Sequence, residues 1–369
     1  MPKALLVSPT GILGGAERHL HSVATFFVGE GWDVTFLIMS RGEQTGWEDL
    51  QKHENFRLVV GNSPSEKRAL PVLIASLIRL SKTENYDYIL SSHAHINALL
   101  SLLRKTRLIR TKFLLGREST FIFDRFSGLK RAALFSLYRY CYGSHDLLVC
   151  QTSNMKESLE SALGFKPAKK LAVIPNPVDL QRIDLGLMSR DDEPATQKDL
   201  KTIVFCGRLV QIKGVDVLIK AFSELVQKGN RANLVIVGDG PEKNALTELA
   251  LSLGVGANVL FLGHRRTPSC VLQGADLGVI SSEKEGFPNV ILEMMASGVK
   301  AIVSTPCTDG LSLLPNVTIA KEYSVRALSS AMSEALSSGL DSSDEYRRYV
   351  ENNRSVSAFW SEVESELRD

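Results

Sequence analysis

Short apolar runs alternate with longer segments in which apolar residues return every three or four positions, from one end of the chain to the other. Residues 5–8, 34–39, 88–91, 112–115, 147–150 and 171–174 read as strands in the first half, and 202–206, 233–237, 259–262, 277–280 and 300–304 in the second. Such runs are apolar at successive positions, so both faces of each strand enter a core. Separated by helix-length segments, they predict parallel sheets covered on both sides. Residues 214–227 carry the helical period most clearly, with Val217, Leu218, Ala221, Phe222 and Leu225 on one face. Residues 355–369 form a further helix, with Val356, Phe359, Trp360 and Val363 at helical spacing, that can pack back on the first half.

The alternation stops at residues 186–200, which are polar, contain a proline and show no period, as a linker does. The expected organisation is therefore a domain over 1–185, a linker, and a second domain over 201–354. Both are doubly wound, and they face each other across a cleft, where such folds bind ligands.

Composition narrows the class. The chain has 369 residues, 44% apolar and 23% charged, with a net charge of +2. A polyanion binder would be far more basic, so nucleic acid is not an expected partner. Five cysteines without a C-x-x-C spacing (Cys141, Cys150, Cys206, Cys270, Cys307) argue for a reducing compartment and against a disulfide framework or zinc site. The first residues read as a buried strand rather than a signal peptide, and no run reaches the ~18 apolar residues of a membrane span. A cytoplasmic protein is expected. Charge is uneven, however: residues 81–145 hold eleven Lys and Arg against four Asp and Glu. The basic residues between 104 and 139 suit either a peripheral contact with an anionic bilayer or the solvated faces of helices.

The candidate chemistry lies in loops at strand ends. In Glu285-Gly286-Phe287-Pro288-Asn289-Val290-Ile291-Leu292-Glu293, Pro288 disfavours helix at Phe287, so a helix starts near Asn289. Its first N–H groups suit an anion. Carboxylates on both sides of a phosphate make sense when the ligand also carries hydroxyls. In the segment 206–214, CGRLVQIKG, Arg208 and Lys213 share a βα loop, two cations suited to a diphosphate or simply to a solvated surface. Gly14 and Gly15 join the first strand to a helix and allow close approach to phosphate, with Glu17 and Arg18 as helix-start residues. No G-x-G-x-x-G or ribose-binding acid accompanies them, and the second strand ends at Ser40-Arg41, which weakens a dinucleotide reading. His93 and His95 follow a strand but lack further ligands for a metal. Arg117-Glu118-Ser119-Thr120 end another strand. The one Asp-Asp pair, Asp191-Asp192, lies in the linker, so no metal-binding D-x-D is expected.

GRLxxxKG, followed by EGFPNVxLExMAxG, resembles the retaining glycosyltransferases of family 4, which have the GT-B fold. PNPVD at 175–179 and GDGP at 238–241 support the likeness, which covers nearly the whole chain. The resemblance implies an acceptor-side first domain and a nucleotide-sugar-binding second domain. It implies that Arg208 and Lys213 hold the donor diphosphate, that Glu285 binds the transferred sugar and that Glu293 takes the ribose hydroxyls. Gly286, Phe287, Pro288, Asn289 and Val290 would complete the phosphate cradle, with Ser282 beside it and His264 near the base. Gly14 and Gly15 would lie against the donor. A histidine near the sugar is matched to His95, with His93 as the alternative.

The expected activity is metal-independent, retaining transfer of a hexose or N-acetylhexosamine from a nucleoside-diphosphate sugar, UDP favoured over GDP, to an acceptor hydroxyl, without a further cofactor. The acceptor would be a glycan or lipid-linked molecule, its recognition falling to loops 41–70 and 117–130, which carry no readable pattern. The rival readings are a nucleotide-sugar epimerase or hydrolase of the same fold, and a non-catalytic sugar-nucleotide-binding subunit.

Overall fold

A computed structural model describes residues 1–40, 46–61, 66–123, 126–188, 199–265 and 267–368. Two compact units emerge, Met1–Pro177 with Val356–Asp369, and Val178–Ser355. In the first, β1 (Lys3–Ser8), β2 (Asp33–Ile38), β3 (Phe56–Val60), β4 (Tyr86–Ser91), β5 (Thr111–Arg117), β6 (Leu147–Cys150) and β7 (Lys170–Val173) lie in the order β3-β2-β1-β4-β5-β6-β7. In the second, β8 (Lys201–Cys206), β9 (Ala232–Val237), β10 (Val259–Gly263), β11 (Leu277–Ile280), β12 (Ile302–Ser304) and β13 (Val317–Ile319) lie in the order β10-β9-β8-β11-β12-β13. Neighbouring strands pair in parallel throughout. Both sheets are doubly wound, and in each the winding reverses beside the first strand. That reversal opens a crevice at the carboxyl ends of β1 and β4, and of β8 and β11.

Two-sided burial explains the unbroken apolar runs. Val204 of β8 enters one core with Ile280, Ile291 and Leu292, while its neighbours Ile203 and Phe205 enter another with Leu218, Phe222 and Leu225. In the first unit Leu6 and Leu90 share a core with Phe359, Trp360 and Val363, and Leu5 and Val7 face Leu73, Leu77 and Leu100. The C-terminal helix Val356–Arg368 is thus part of the first unit. Its Trp360 stands edge-on to Phe27 at 4.5 Å and to Tyr88 at 5.0 Å.

The chain passes into the second unit at Val178, ahead of the expected boundary at residue 185. The helix Leu180–Met188 buries Ile183 in the second core, and Gly186 lies so close to Ser269 that an added Cβ would stand 3.0 Å from its Oγ. Most of the expected linker, Asp191-Asp192 included, lies outside the described residues. So do Arg41, the rest of 41–45 and 62–65 in the first loop expected to meet the acceptor, and Asp124 and Arg125 of the basic stretch.

Within that basic stretch, Arg104 is spent on Asp146, and Lys105 donates to the carbonyls of Tyr142 (2.6 Å) and Tyr140 (3.3 Å). The helix Gly128–Cys141 is different. Tyr138 is its one buried residue, and Leu129 is 90% and Tyr140 74% exposed. No helix among the described residues is long and apolar enough to cross a membrane.

Candidate functional site

Apart from Gly14 and Gly15, the predicted donor residues follow the carboxyl ends of β8, β10 and β11, along one rim of the second sheet. Arg208 is exposed, and its guanidinium pairs with nothing among the described residues. Backbone bonds hold its loop: Leu209 N–H donates to Asp239 O (2.9 Å) and Glu242 N–H to Leu209 O (3.2 Å). Gly238 N–H donates to Gly263 O (2.9 Å), which draws the exposed His264 toward the same loop.

Lys213 closes the loop, and Gly214 explains how it can. Gly214 has φ +61°, and a Cβ there would stand 2.1 Å from Ser281 O, so this backbone contact requires glycine. The exits of β8 and β11 are then stitched together, Ser281 Oγ donating to Lys213 O (2.8 Å) and Glu283 N–H to Ile212 O (2.9 Å). The result brings the Lys213 ammonium onto Glu285 Oε1, to which Ser282 Oγ also donates at 2.7 Å. Both side chains of the ion pair are about one-fifth exposed (21% and 16%), enough to meet a ligand while partly shielded from water.

The turn after Glu285 is anchored from behind. Glu285 N–H donates to Cys307 O (3.0 Å), and Thr308 Oγ1 to Gly286 O (2.9 Å). Burial pushes the Cys307 thiol up to about 11, the nearby Glu285 carboxylate adding to the effect, so this cysteine is a structural support and not a nucleophile. Phe287 and Pro288 are buried, Asn289 is the N-cap of the helix Val290–Ala296, and Ile291 N–H donates to Pro288 O (2.9 Å). One turn in, Glu293 accepts from Arg182 Nη2 at 2.9 Å. Nothing in the sequence marks Arg182, whose segment reads as part of the first domain.

In the first unit the corresponding crevice holds Gly14, the N-cap of the helix Gly15–Gly29, and the two histidines. The pair that forms is Glu17 with His93: Glu17 Oε1 lies 2.9 Å from His93 Nε2 and the carboxylate is buried. A Cβ on Gly14 would stand 2.8 Å from the other Glu17 oxygen, so glycine leaves room for this carboxylate. His95 is exposed on the first turn of the helix Ala94–Lys105, its ring 6.0 Å from that of His93. Desolvation first, and His93 second, hold it below the ordinary histidine value. Arg117 is buried, which lowers its pKa to about 10, and it donates to Asn176 Oδ1. Asn176 in turn donates to Gln151 Oε1 (2.8 Å), and Gln151 Nε2 to Glu118 O (3.2 Å). The PNPVD stretch is thereby tied to the end of β5, a role for Asn176 that only the fold reveals.

Two family models divide the sequence between them. Glycosyltransferase Family 4 matches residues 13–182, and Glycosyl transferases group 1 matches residues 189–356. The chain belongs to the family 4 glycosyltransferases. Its architecture is the GT-B fold that the resemblance implied. An uncharacterized glycosyltransferase of Methanocaldococcus jannaschii is 32% identical over 207 residues, 54% of this chain and 49% of that protein. One component of the human phosphatidylinositol N-acetylglucosaminyltransferase is 26% identical over 88% of this chain and 66% of its own length. The chain spans about half the length of the first curated relatives it matches. Among solved structures, HepE of Anabaena in complex with UDP and glucose aligns over all of both chains with a TM-score of 0.76 at 18% identity. That likeness speaks for the family's fold.

Proposed function

We propose that this protein is a retaining glycosyltransferase. It moves a hexose or N-acetylhexosamine from a nucleoside-diphosphate sugar, UDP favoured over GDP, to a hydroxyl of a glycan or lipid-linked acceptor during glycan assembly. The observation that carries the reading is the Lys213–Glu285–Ser282 cluster at the β8/β11 crevice, with unpaired Arg208 in the same loop. A diphosphate leaving group needs positive charge that strengthens as the bond breaks, and Arg208 and Lys213 supply two cations without a metal. Glu285 offers an acceptor to sugar hydroxyls, its orientation fixed by Ser282. Glu293 and Arg182 together offer both acceptor and donor to the ribose. The solved structure of HepE in complex with UDP and glucose favours a UDP-sugar donor.

Atoms balance simply in this mechanism. The acceptor oxygen bonds to the anomeric carbon, the bond to the diphosphate breaks, and the hydroxyl proton passes to the leaving phosphate. Product on the same face then carries the donor's α-configuration.

The acceptor is inferred to be met at an anionic membrane. Residues 126–145 contain no Asp or Glu, and the outward helix Gly128–Cys141 combines Leu129 and Tyr140 with Lys130, Arg131 and Arg139. With Arg104 and Lys105 committed inside the fold, these three cations would carry the contact.

The deciding experiment is a thermal-shift screen of UDP-, GDP- and ADP-sugars, followed by transfer assays with and without EDTA. A nucleotide sugar that binds the folded state raises the melting temperature. A UDP-sugar is expected to do so, and EDTA to leave transfer unchanged. Donor consumed equally fast without acceptor would point to hydrolysis instead. No shift with any nucleotide sugar would sink the donor assignment.

A further inference from the structure

Arg354 follows the helix Ser343–Asn353 and is only 4% exposed, yet no carboxylate pairs with it among the described residues. Buried arginines are ordinarily paired. This one lies between two rings instead, its guanidinium carbon 5.8 Å from the centre of Phe287 and 5.6 Å from that of Tyr349. Nε donates to the Tyr349 hydroxyl at 3.2 Å, while Nη1 is buried without a partner. Its backbone matters as well. Arg354 O accepts from Val178 N–H at 2.8 Å, beside a parallel bridge between Val178 and Ser355. Val178 and Ser355 are the residues by which the chain enters and leaves the second unit.

Phe287 is the buried side chain of the turn between the two glutamates. Cys307 and Thr308 hold that turn through the backbone at Glu285 and Gly286, and neither touches Phe287 by a hydrogen bond. The ring's orientation is left to its packing, in which the charged partner is Arg354.

We propose that Arg354 is a positioning residue for the donor. Through the face of Phe287 it sets the backbone of residues 286–290, and through its carbonyl it joins that turn to the entry and exit of the unit. The inference rests on the donor reading given above. A cation at the end of a helix also complements the helix dipole. That role would be indifferent to Phe287 and to nucleotide, which gives the test its leverage.

Titration calorimetry with UDP on the full chain compares wild type with Arg354→Met, Phe287→Leu and the double variant. Each single change is expected to weaken UDP binding about tenfold, the double no more than either, because both break one cation–π contact. Arg354→Lys, which keeps a cation over the rings, recovers most of the affinity. Hydrogen exchange at the Val178 amide slows on UDP binding in wild type and not in Arg354→Met. Wild-type UDP affinity in a folded Arg354→Met protein would overturn the proposal, as would losses that add to about a hundredfold in the double variant. If the methionine variant fails to fold, Phe287→Leu decides alone, and wild-type affinity there overturns the proposal equally. Wild type that binds no nucleotide removes the donor reading and this inference together. Wild type that binds, with variants unchanged, removes only the role of Arg354.

Discussion

The two units share one winding pattern and place different chemistry at the same point in it. At the β1/β4 crevice of the first unit a carboxylate meets an imidazole, Glu17 with His93, and the arginine at the end of β5 is sealed in the interior. At the β8/β11 crevice of the second, an ammonium meets a carboxylate and a hydroxyl, and an arginine stands free at the surface. A repeated topology therefore fixes where a ligand goes, and the loop residues fix what it is. Positive charge at the rim suits a diphosphate. A neutral or singly charged pair suits hydroxyls.

The comparison breaks most visibly if the two crevices respond alike to substitution. Lys213→Gln, which removes the ammonium but keeps a polar side chain against Glu285, should lower kcat/KM about a thousandfold, the scale of losing a group that stabilises transition-state charge. Glu17→Gln in the first unit should leave UDP affinity unchanged and reduce turnover by no more than about tenfold, since a neutral amide still contacts His93. Steady-state kinetics with UDP titrations would check both. Equal loss of UDP affinity in the two variants would end the division of labour between the units.

A second contrast concerns the arginines. Arg208→Ala removes an exposed side chain, so its melting temperature should match wild type while UDP binds about tenfold more weakly, an effect that shrinks as salt is added. Arg117→Gln should do the opposite. It breaks into the buried Asn176–Gln151 network and should cost about 2 kcal/mol of stability with nucleotide affinity intact. Calorimetric titration and denaturant melts on both proteins separate the two cases.

What could be read beforehand follows from where each residue's partners lie. Eleven of the thirteen strands among the described residues are legible as apolar runs, most of them because both faces are buried, while the edge strands β7 and β10 keep the apolar run at only partial burial. The two that the pattern misses, β3 and β13, are sheet edges like β7 and β10, but their apolar runs are broken by Arg57 and Thr318. In β3 only Phe56 is fully buried, and β13 is three residues long with none buried. The nine residues from Glu285 to Glu293 were legible because proline, helix start and paired acids are local features. Glu17 reads as a helix-start residue, but its contact with His93 spans 76 positions, and Arg182 reaches Glu293 across 111. Neither spacing leaves a periodic trace. Nor did the boundary at Val178, since a polar segment marks a linker only when the helix before it packs on the expected side.

The smallest predicted effect tests whether the two units are separate in stability as well as in chemistry. Asp146 and Asp276 each stand just before a strand and accept a backbone N–H from the neighbouring one, Leu114 (2.8 Å) and Thr202 (2.9 Å) respectively. Burial alone would raise both carboxyls. Arg104, Lys169 and the Leu114 N–H instead hold Asp146 below the ordinary value, and the Thr202 N–H, Lys300 and Lys201 do the same for Asp276. A depressed carboxyl contributes stability that is complete above the unfolded value, about 3.9, and is lost as pH falls through the folded one. Asp146→Asn and Asp276→Asn should each cost about 1 kcal/mol at neutral pH and flatten the acid limb of the melting profile. UDP, whose proposed site lies in the second unit, should then restore melting temperature in Asp276→Asn and not in Asp146→Asn, provided each unit melts on its own. Equal rescue of both would mean that the units unfold as one cooperative body, with their independence confined to chemistry.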